Sequence, residues 1–135
     1  MKSEYKGTKF LNLACGENFI INEKWLNFDF IKREGVNQIN LLEKLPLDDQ
    51  CVDVVYCSHF IEHIPEHMVS SFLTECFRVL KNNGYLYCTI PFLQGFHADP
   101  YDFQRFTLNG GEILLKDFNI IKKGVSSGPF SSIAW

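Results

Sequence analysis

A chain of 135 residues with a net charge of −3 is long enough for one domain around one core, expected to span residues 1–135, and too short for two. Apolar residues make up 46% of it and phenylalanine occurs 13 times, which excludes a disordered chain. No Lys/Arg run exceeds two residues and no stretch approaches the roughly 18 apolar residues of a membrane span. Neither nucleic acid nor membrane is therefore expected as a partner. The N-terminal MKSEYKGTKF also lacks the apolar core of a signal peptide, so a cytoplasmic location is expected.

KFLNLACG, Lys9 to Gly16, is a short apolar run ending at glycine, the pattern of a buried strand entering a turn. WLNFDF, Trp25 to Phe30, reads as a second strand and VNQINL, Val36 to Leu41, as a short third. Between Gly16 and Trp25 there is little room for a full helix. After the turn LPLDDQ, the run VDVVYCS, Val52 to Ser58, is a fourth strand with β-branched residues at its centre. Past Pro65 the period becomes helical. Met68, Val69, Phe72, Leu73, Cys76, Phe77 and Leu80 share one face of a helix over about 65–81, with Ser70, Ser71, Thr74, Glu75 and Arg78 opposite. Asn82, Asn83 and Gly84 are expected to stop it before a fifth strand, Tyr85 to Pro91. A long aromatic and charged connection then leads to Thr107, a candidate cap for a short helix through about Lys116. FNIIKKGV, Phe118 to Val125, reads as a sixth strand, and SSGPFSSIAW closes the chain. Strands alternating with helices or long connections imply an α/β fold with a mainly parallel sheet, whose ligands bind at the carboxyl ends of the strands. The five cysteines include no C-x-x-C pair and read as reduced packing thiols.

The stretch HFIEHIPEH, His59 to His67, contains H-x-x-E-H, the order of an inverted zinc-peptidase signature. That chemistry needs both histidines on one helical face. Here a strand runs to Ser58, and Pro65 disfavours helix at Ile64, so too few residues remain for a ligand-bearing helix. No metal is expected. A dinucleotide fingerprint would need glycines where Ala14, Gly16 and Phe19 stand, and only one is present, which disfavours a nicotinamide cofactor.

In order, these segments resemble the class I S-adenosylmethionine-dependent methyltransferases, most closely their small type 11 branch, from about Lys9 to Ser127. The resemblance implies a Rossmann-like sheet flanked by helices. FLNLACGE is similar to the family's first motif, where a glycine-rich turn approaches the cofactor; here that turn comprises Asn12, Ala14, Cys15 and Gly16. LNFDF resembles the second motif, which implies that Asp29 binds the ribose hydroxyls, with Phe30 beside it. INLLEKLPLDDQCVDVVYCSHFIEHI resembles the third and fourth, placing Asn40 and Leu41 at the adenine and Cys57, Ser58 and His59 on the cofactor's other side. FLTECFRVLKNNGYLYCTIP is similar to the helix, turn and strand that follow. A His-x-x-Glu-His segment after the fourth strand is common in this branch without a metal, which makes Glu62 and His63 loop residues near the cofactor. His67 is expected to face water.

Asn12 and Ala14 depart from the usual acidic residue and glycine, and Asn40 stands where a carboxylate is usual. The family usually ends in a further strand pair, so a chain truncated there, or one whose open sheet edge pairs in a homodimer, is expected. The loop FHADPYDFQRFT resembles the segment after the family's fifth strand and offers His97, Asp99, Tyr101, Asp102 and Arg105. Methyl transfer is an in-line displacement that needs no covalent residue, and a histidine can take the acceptor's proton. His97 is the candidate base, and His63, Tyr101, Asp102 and Arg105 are candidate substrate contacts; an Asp102–Arg105 ion pair at i, i+3 is the structural alternative. The expected activity is transfer of a methyl group from S-adenosylmethionine to a small-molecule or protein acceptor. The alternative is an inactive or fragmentary module that binds the same cofactor.

Overall fold

The computed structural model describes residues 5, 7–98 and 100–125. Asp99 and the closing SSGPFSSIAW lie outside the described residues. Five strands, β1 (Phe10–Leu13), β2 (Trp25–Asp29), β3 (Asn37–Gln38), β4 (Val52–Ser58) and β5 (Leu80–Thr89), form one sheet in the order β3-β2-β1-β4-β5. Every pairing is parallel. Helix α1 (Glu66–Val79) joins β4 to β5, and α2 (Leu108–Leu114) follows β5. The strand order reverses between β1 and β4, so their carboxyl ends flank the switch point at which such sheets take ligands.

By contact, the described residues divide into two compact units. The first holds the chain up to Ser58 together with Ser71–Thr89; the second holds His59–Ser70 and the chain from Ile90 onward. In the first, consecutive residues of β1 and β2 are buried, including Leu11, Leu13 and Phe28 at 0% exposure, the mark of strands covered on both faces. β5 alternates instead, with Tyr85 and Tyr87 exposed, and pairs on its outer side with no strand among the described residues.

Several elements depart from the sequence pattern. No strand forms over residues 118–125. Ile121 is 74% and Val125 81% exposed there, so the apolar residues that suggest a strand meet no buried face. β3 is shorter than Val36–Leu41, because Asn40 closes a turn: its carbonyl oxygen and side-chain oxygen accept from Glu43 N and Leu42 N. Asn82, Asn83 and Gly84 do not separate α1 from the next strand. The helix runs straight into β5, and these residues are looped out where the register passes from Val52↔Leu80 to Val54↔Tyr85. Gly84 is required there, since an added Cβ would lie 2.9 Å from Leu80 Cδ2 and 3.0 Å from the Asp53 carbonyl oxygen.

On α1 the apolar stripe buries Val69, Phe72, Leu73, Cys76 and Val79, but Phe77 is 59% exposed. The polar stripe does more than meet solvent. Arg78 donates to the carbonyls of Leu45 and Leu47 and to Asp49, while Glu75 accepts from Leu45 N, so this pair ties the 45–49 loop to the helix. Thr107 caps α2 as its position predicts, accepting from Gly110 N at 3.0 Å. No helix among the described residues is long and apolar enough to cross a membrane.

Candidate functional site

In the first unit the chain leaves β1 through a left-handed turn. Ala14 and Gly16 both have φ of 53°. For Ala14 this conformation costs roughly 1–2 kcal/mol, a strain absent at glycine. A Cβ built on Gly16 would meet no atom within 4 Å, so open space lies beside the turn. No helix connects β1 to β2. The loop is held instead by two buried amides: Asn12 Nδ2 donates to Asn27 Oδ1 and to the Asn18 carbonyl, both at 3.1 Å. Asn27 in turn binds both the N–H and the carbonyl of Ile20, at 3.0 and 2.9 Å. Both donor hydrogens of Asn12 are therefore committed to the loop.

Asp29 ends β2 and is 7% exposed. Its Oδ2 accepts from Gly16 N at 2.8 Å and its Oδ1 from Ile31 N at 2.9 Å, with Arg33 Nη1 3.6 Å from Oδ1. The carboxylate thus reaches across to the turn after β1, and each oxygen keeps acceptor capacity beyond the one N–H it holds. Phe30 follows, 41% exposed. Cys15 is buried in the turn; burial, and secondarily the Asp29 charge, pushes its thiol up to about 11. Asn40 is exposed but spends its side chain on its own turn, donating to Glu43 Oε1 at 2.8 Å. Leu41 and Cys57 are fully buried, so their side chains belong to the core. Ser58 Oγ and Thr89 Oγ1, 2.6 Å apart, link the carboxyl ends of β4 and β5.

The second unit gathers the remaining candidates. His59 has φ of 51°, and Ile61–His63 form one 3-10 turn rather than part of a helix. That turn is clamped by the segment after Tyr101. Phe103 N donates to the Glu62 carbonyl at 2.8 Å, and Gln104 Nε2 donates to the carbonyls of Ile61 and Ile64, both at 3.0 Å. Glu62 is completely buried, with His59 Nδ1, His63 Nε2 and His97 Nε2 at 3.5, 3.8 and 3.7 Å from its Oε1. The adjacent Glu62 carboxylate raises the His59 pKa, with burial opposing it.

Asp102 and Arg105 pair with each other, as the structural alternative for this loop predicts. Arg105 also donates to the carbonyls of Gln94, Gly95 and Gln104, while Asp102 accepts from His97 N at 2.9 Å. The Arg105 guanidinium, and then the His97 N–H, hold the Asp102 carboxyl well below the usual carboxylate range. Tyr101 is 63% exposed, and His67 is exposed on α1.

Asn27 and Gln104 are the residues that reading the sequence misses. Asn27 sits within an apolar strand, where a polar residue on a doubly covered strand is the available signal, since a buried amide must find partners. Gln104 carries no comparable signal, because its partners are backbone carbonyls some forty residues away.

The family model described as "Methyltransferase domain" matches residues 21–88, a span that includes Asp29 and Glu62 and leaves out the Ala14–Gly16 turn and the His97 loop. Among solved structures, the chain is similar to a SAM dependent methyltransferase from Archaeoglobus fulgidus, with a TM-score of 0.67 and 21% identity over 84% of this chain and 62% of that one. It is also similar to one from Aquifex aeolicus, with a TM-score of 0.57 and 20% identity over 82% and 71% of the two chains. A third likeness is to the complex between the Haloferax volcanii Trm112 methyltransferase activator and a methyltransferase, with a TM-score of 0.55 and 16% identity over 82% and 60%. At these identities the shared property is the fold, and the chain spans 62% of the Archaeoglobus protein's length. No curated protein matches it in sequence. With a parallel sheet of this order, an acidic residue closing β2 and a family match across half its length, the chain belongs to the methyltransferase domain family, type 11.

Proposed function

We propose that the chain transfers a methyl group from S-adenosylmethionine to a small-molecule or protein acceptor. The observation that carries this reading is the buried Asp29 carboxylate, which closes β2 and bonds the left-handed turn after β1 through Gly16 N. The residues present fit the cofactor. Ribose hydroxyls are donors that need an acceptor with spare lone pairs, and Asp29 has them; the space beside Gly16 is free of side chains.

When bound, S-adenosylmethionine supplies a methyl group on a positively charged sulfur, ready for in-line displacement. The chain's part is to hold and orient. Asp29 would grip the ribose, the Ala14–Gly16 turn would offer backbone rather than bulk, and Phe30 and Ser58 would border the same ligand. Asn12 would act one step removed, through the loop it fixes with Asn27. Asn40 and Leu41 would meet the adenine through their backbone, since the Leu41 side chain is buried and that of Asn40 is engaged in its turn.

In the second unit, Asp102 and Arg105 would position the loop, Tyr101 and His63 would contact the acceptor, and His97 would take its proton.

Calorimetric titration with S-adenosylmethionine and S-adenosylhomocysteine tests the reading. Binding is expected to both, and Asp29→Ala should weaken it by about 1–3 kcal/mol, the worth of a charge-assisted hydrogen bond. Undiminished affinity in a folded Asp29→Ala variant would refute the ribose assignment. Binding with no methyl transfer across a broad acceptor screen would favour the binding module over the enzyme.

A further inference from the structure

Glu62 is 0% exposed, and neither of its carboxylate oxygens receives a hydrogen bond among the described residues. Burying a carboxylate without partners costs several kcal/mol, so such a group marks a place for positive charge. Arg105 does not fill it, being matched by Asp102.

Two imidazoles face the gap in a defined tautomer. His63 Nδ1 lies 2.5 Å from the Tyr101 carbonyl oxygen, and His97 Nδ1 lies 3.1 Å from that of Gly95. A carbonyl only accepts, so each Nδ1 carries the proton, and in the neutral ring each Nε2 turns a lone pair toward Glu62. Arg105 Nη2 also approaches His97 Nδ1, but at 3.4 Å it is the longer contact. Imidazoles fixed through Nδ1 by backbone carbonyls are typical of metal-ligating histidines.

The distances favour an ion over a salt link. A charged imidazole would close its Nε2–H onto the carboxylate at about 2.7–2.9 Å. The separations from Glu62 Oε1 are 3.8 Å for His63 and 3.7 Å for His97. Two ligands each about 2.0–2.1 Å from a tetrahedral ion stand roughly 3.3–3.5 Å apart, nearer the two carboxylate–imidazole separations than a salt link is. The rings meet edge to face, with centroids 5.0 Å apart, so both nitrogens can converge without stacking.

We propose that one Glu62 oxygen, His63 Nε2 and His97 Nε2, all within 4.8 Å of one another, bind a divalent transition-metal ion of the zinc type. The donor set is two imidazoles and one carboxylate, which leaves coordination positions open. It is not the helical H-x-x-E-H arrangement. Glu62 and His63 are neighbours on a 3-10 turn, the third ligand comes from the loop after β5, and His59, 51% exposed, stands outside the set. The site does not rest on the cofactor reading of the first unit, but it competes with the proton-accepting role of His97, because an ion there occupies the Nε2 lone pair that role requires.

The full chain, stripped with a chelator and dialysed, is titrated with cobalt(II) and then zinc(II). One equivalent of cobalt should bind with visible absorption bands, zinc should displace it, and the melting temperature should rise. His97→Ala should weaken zinc binding at least about 100-fold, more than the loss of an outer-shell partner, whereas His67→Ala should leave it within about twofold. Circular dichroism reports that the variant is folded. No cobalt spectrum and no zinc uptake by the unaltered chain, or equal zinc affinity in the folded His97→Ala variant, overturns the site.

Discussion

Ala14 and Gly16 show how single residues shape the turn after β1. Both sit at φ 53°, but only glycine adopts that conformation without strain. Ala14→Gly should therefore stabilise the chain by up to about 1 kcal/mol, the relieved strain less the extra freedom of an unfolded glycine, as read by urea denaturation. A loss of stability would contradict the left-handed assignment. Cys15, between them, gives a pH test. Its thiol is pushed up to about 11 from 9.0, so the fold holds a proton across that interval. The resulting stabilisation is present below pH 9 and is lost as pH rises through about 11. In the native chain, alkylation at Cys15 followed by mass spectrometry should be negligible at pH 8 and accelerate toward pH 11; modification at pH 8 as fast as in urea would refute the burial. The position of Asp29 at the end of β2 was legible at this scale because it closes an apolar run. Glu62 was not, since nothing local distinguishes a fully enclosed carboxylate from one that caps a loop.

At the scale of elements, strands and helices were most legible where the hydrophobic period was long. β4 coincides with the run Val52 to Ser58, and α1 lies within its apolar stripe. Ends and connections were less so, because tertiary hydrogen bonds decide them. Asn82, Asn83 and Gly84 have turn chemistry, yet Gln50 N and Cys51 N bond the carbonyls of Arg78 and Val79, which draws the pairing back to the helix end. The turn becomes an excursion within β5, and Gly84 packs against the Asp53 carbonyl. Gly84→Ala should accordingly destabilise by about 1–3 kcal/mol, the usual cost of overpacking, measured by the denaturation midpoint. A neutral substitution would show that this edge yields freely. Residues 118–125 teach the converse: a strand-like composition makes no strand where its apolar side chains, Ile121 and Val125 among them, stay exposed.

For the molecule, the parallel sheet and its switch point followed from strands alternating with helices and long connections, while the assignment to a family rested on motifs in series. The division into two units was not legible, because it depends on contacts that join His59–Ser70 to the chain beyond Ile90. Those contacts run through Gln104, Phe103 and His97, residues whose neighbours lie far away in sequence. Cofactor binding by the first unit is tested residue by residue by backbone amide NMR of the isotopically labelled chain titrated with S-adenosylhomocysteine. Saturable shifts at Gly16, Asp29 and Phe30 are predicted. Unmoved resonances at those residues with saturating ligand would contradict the account.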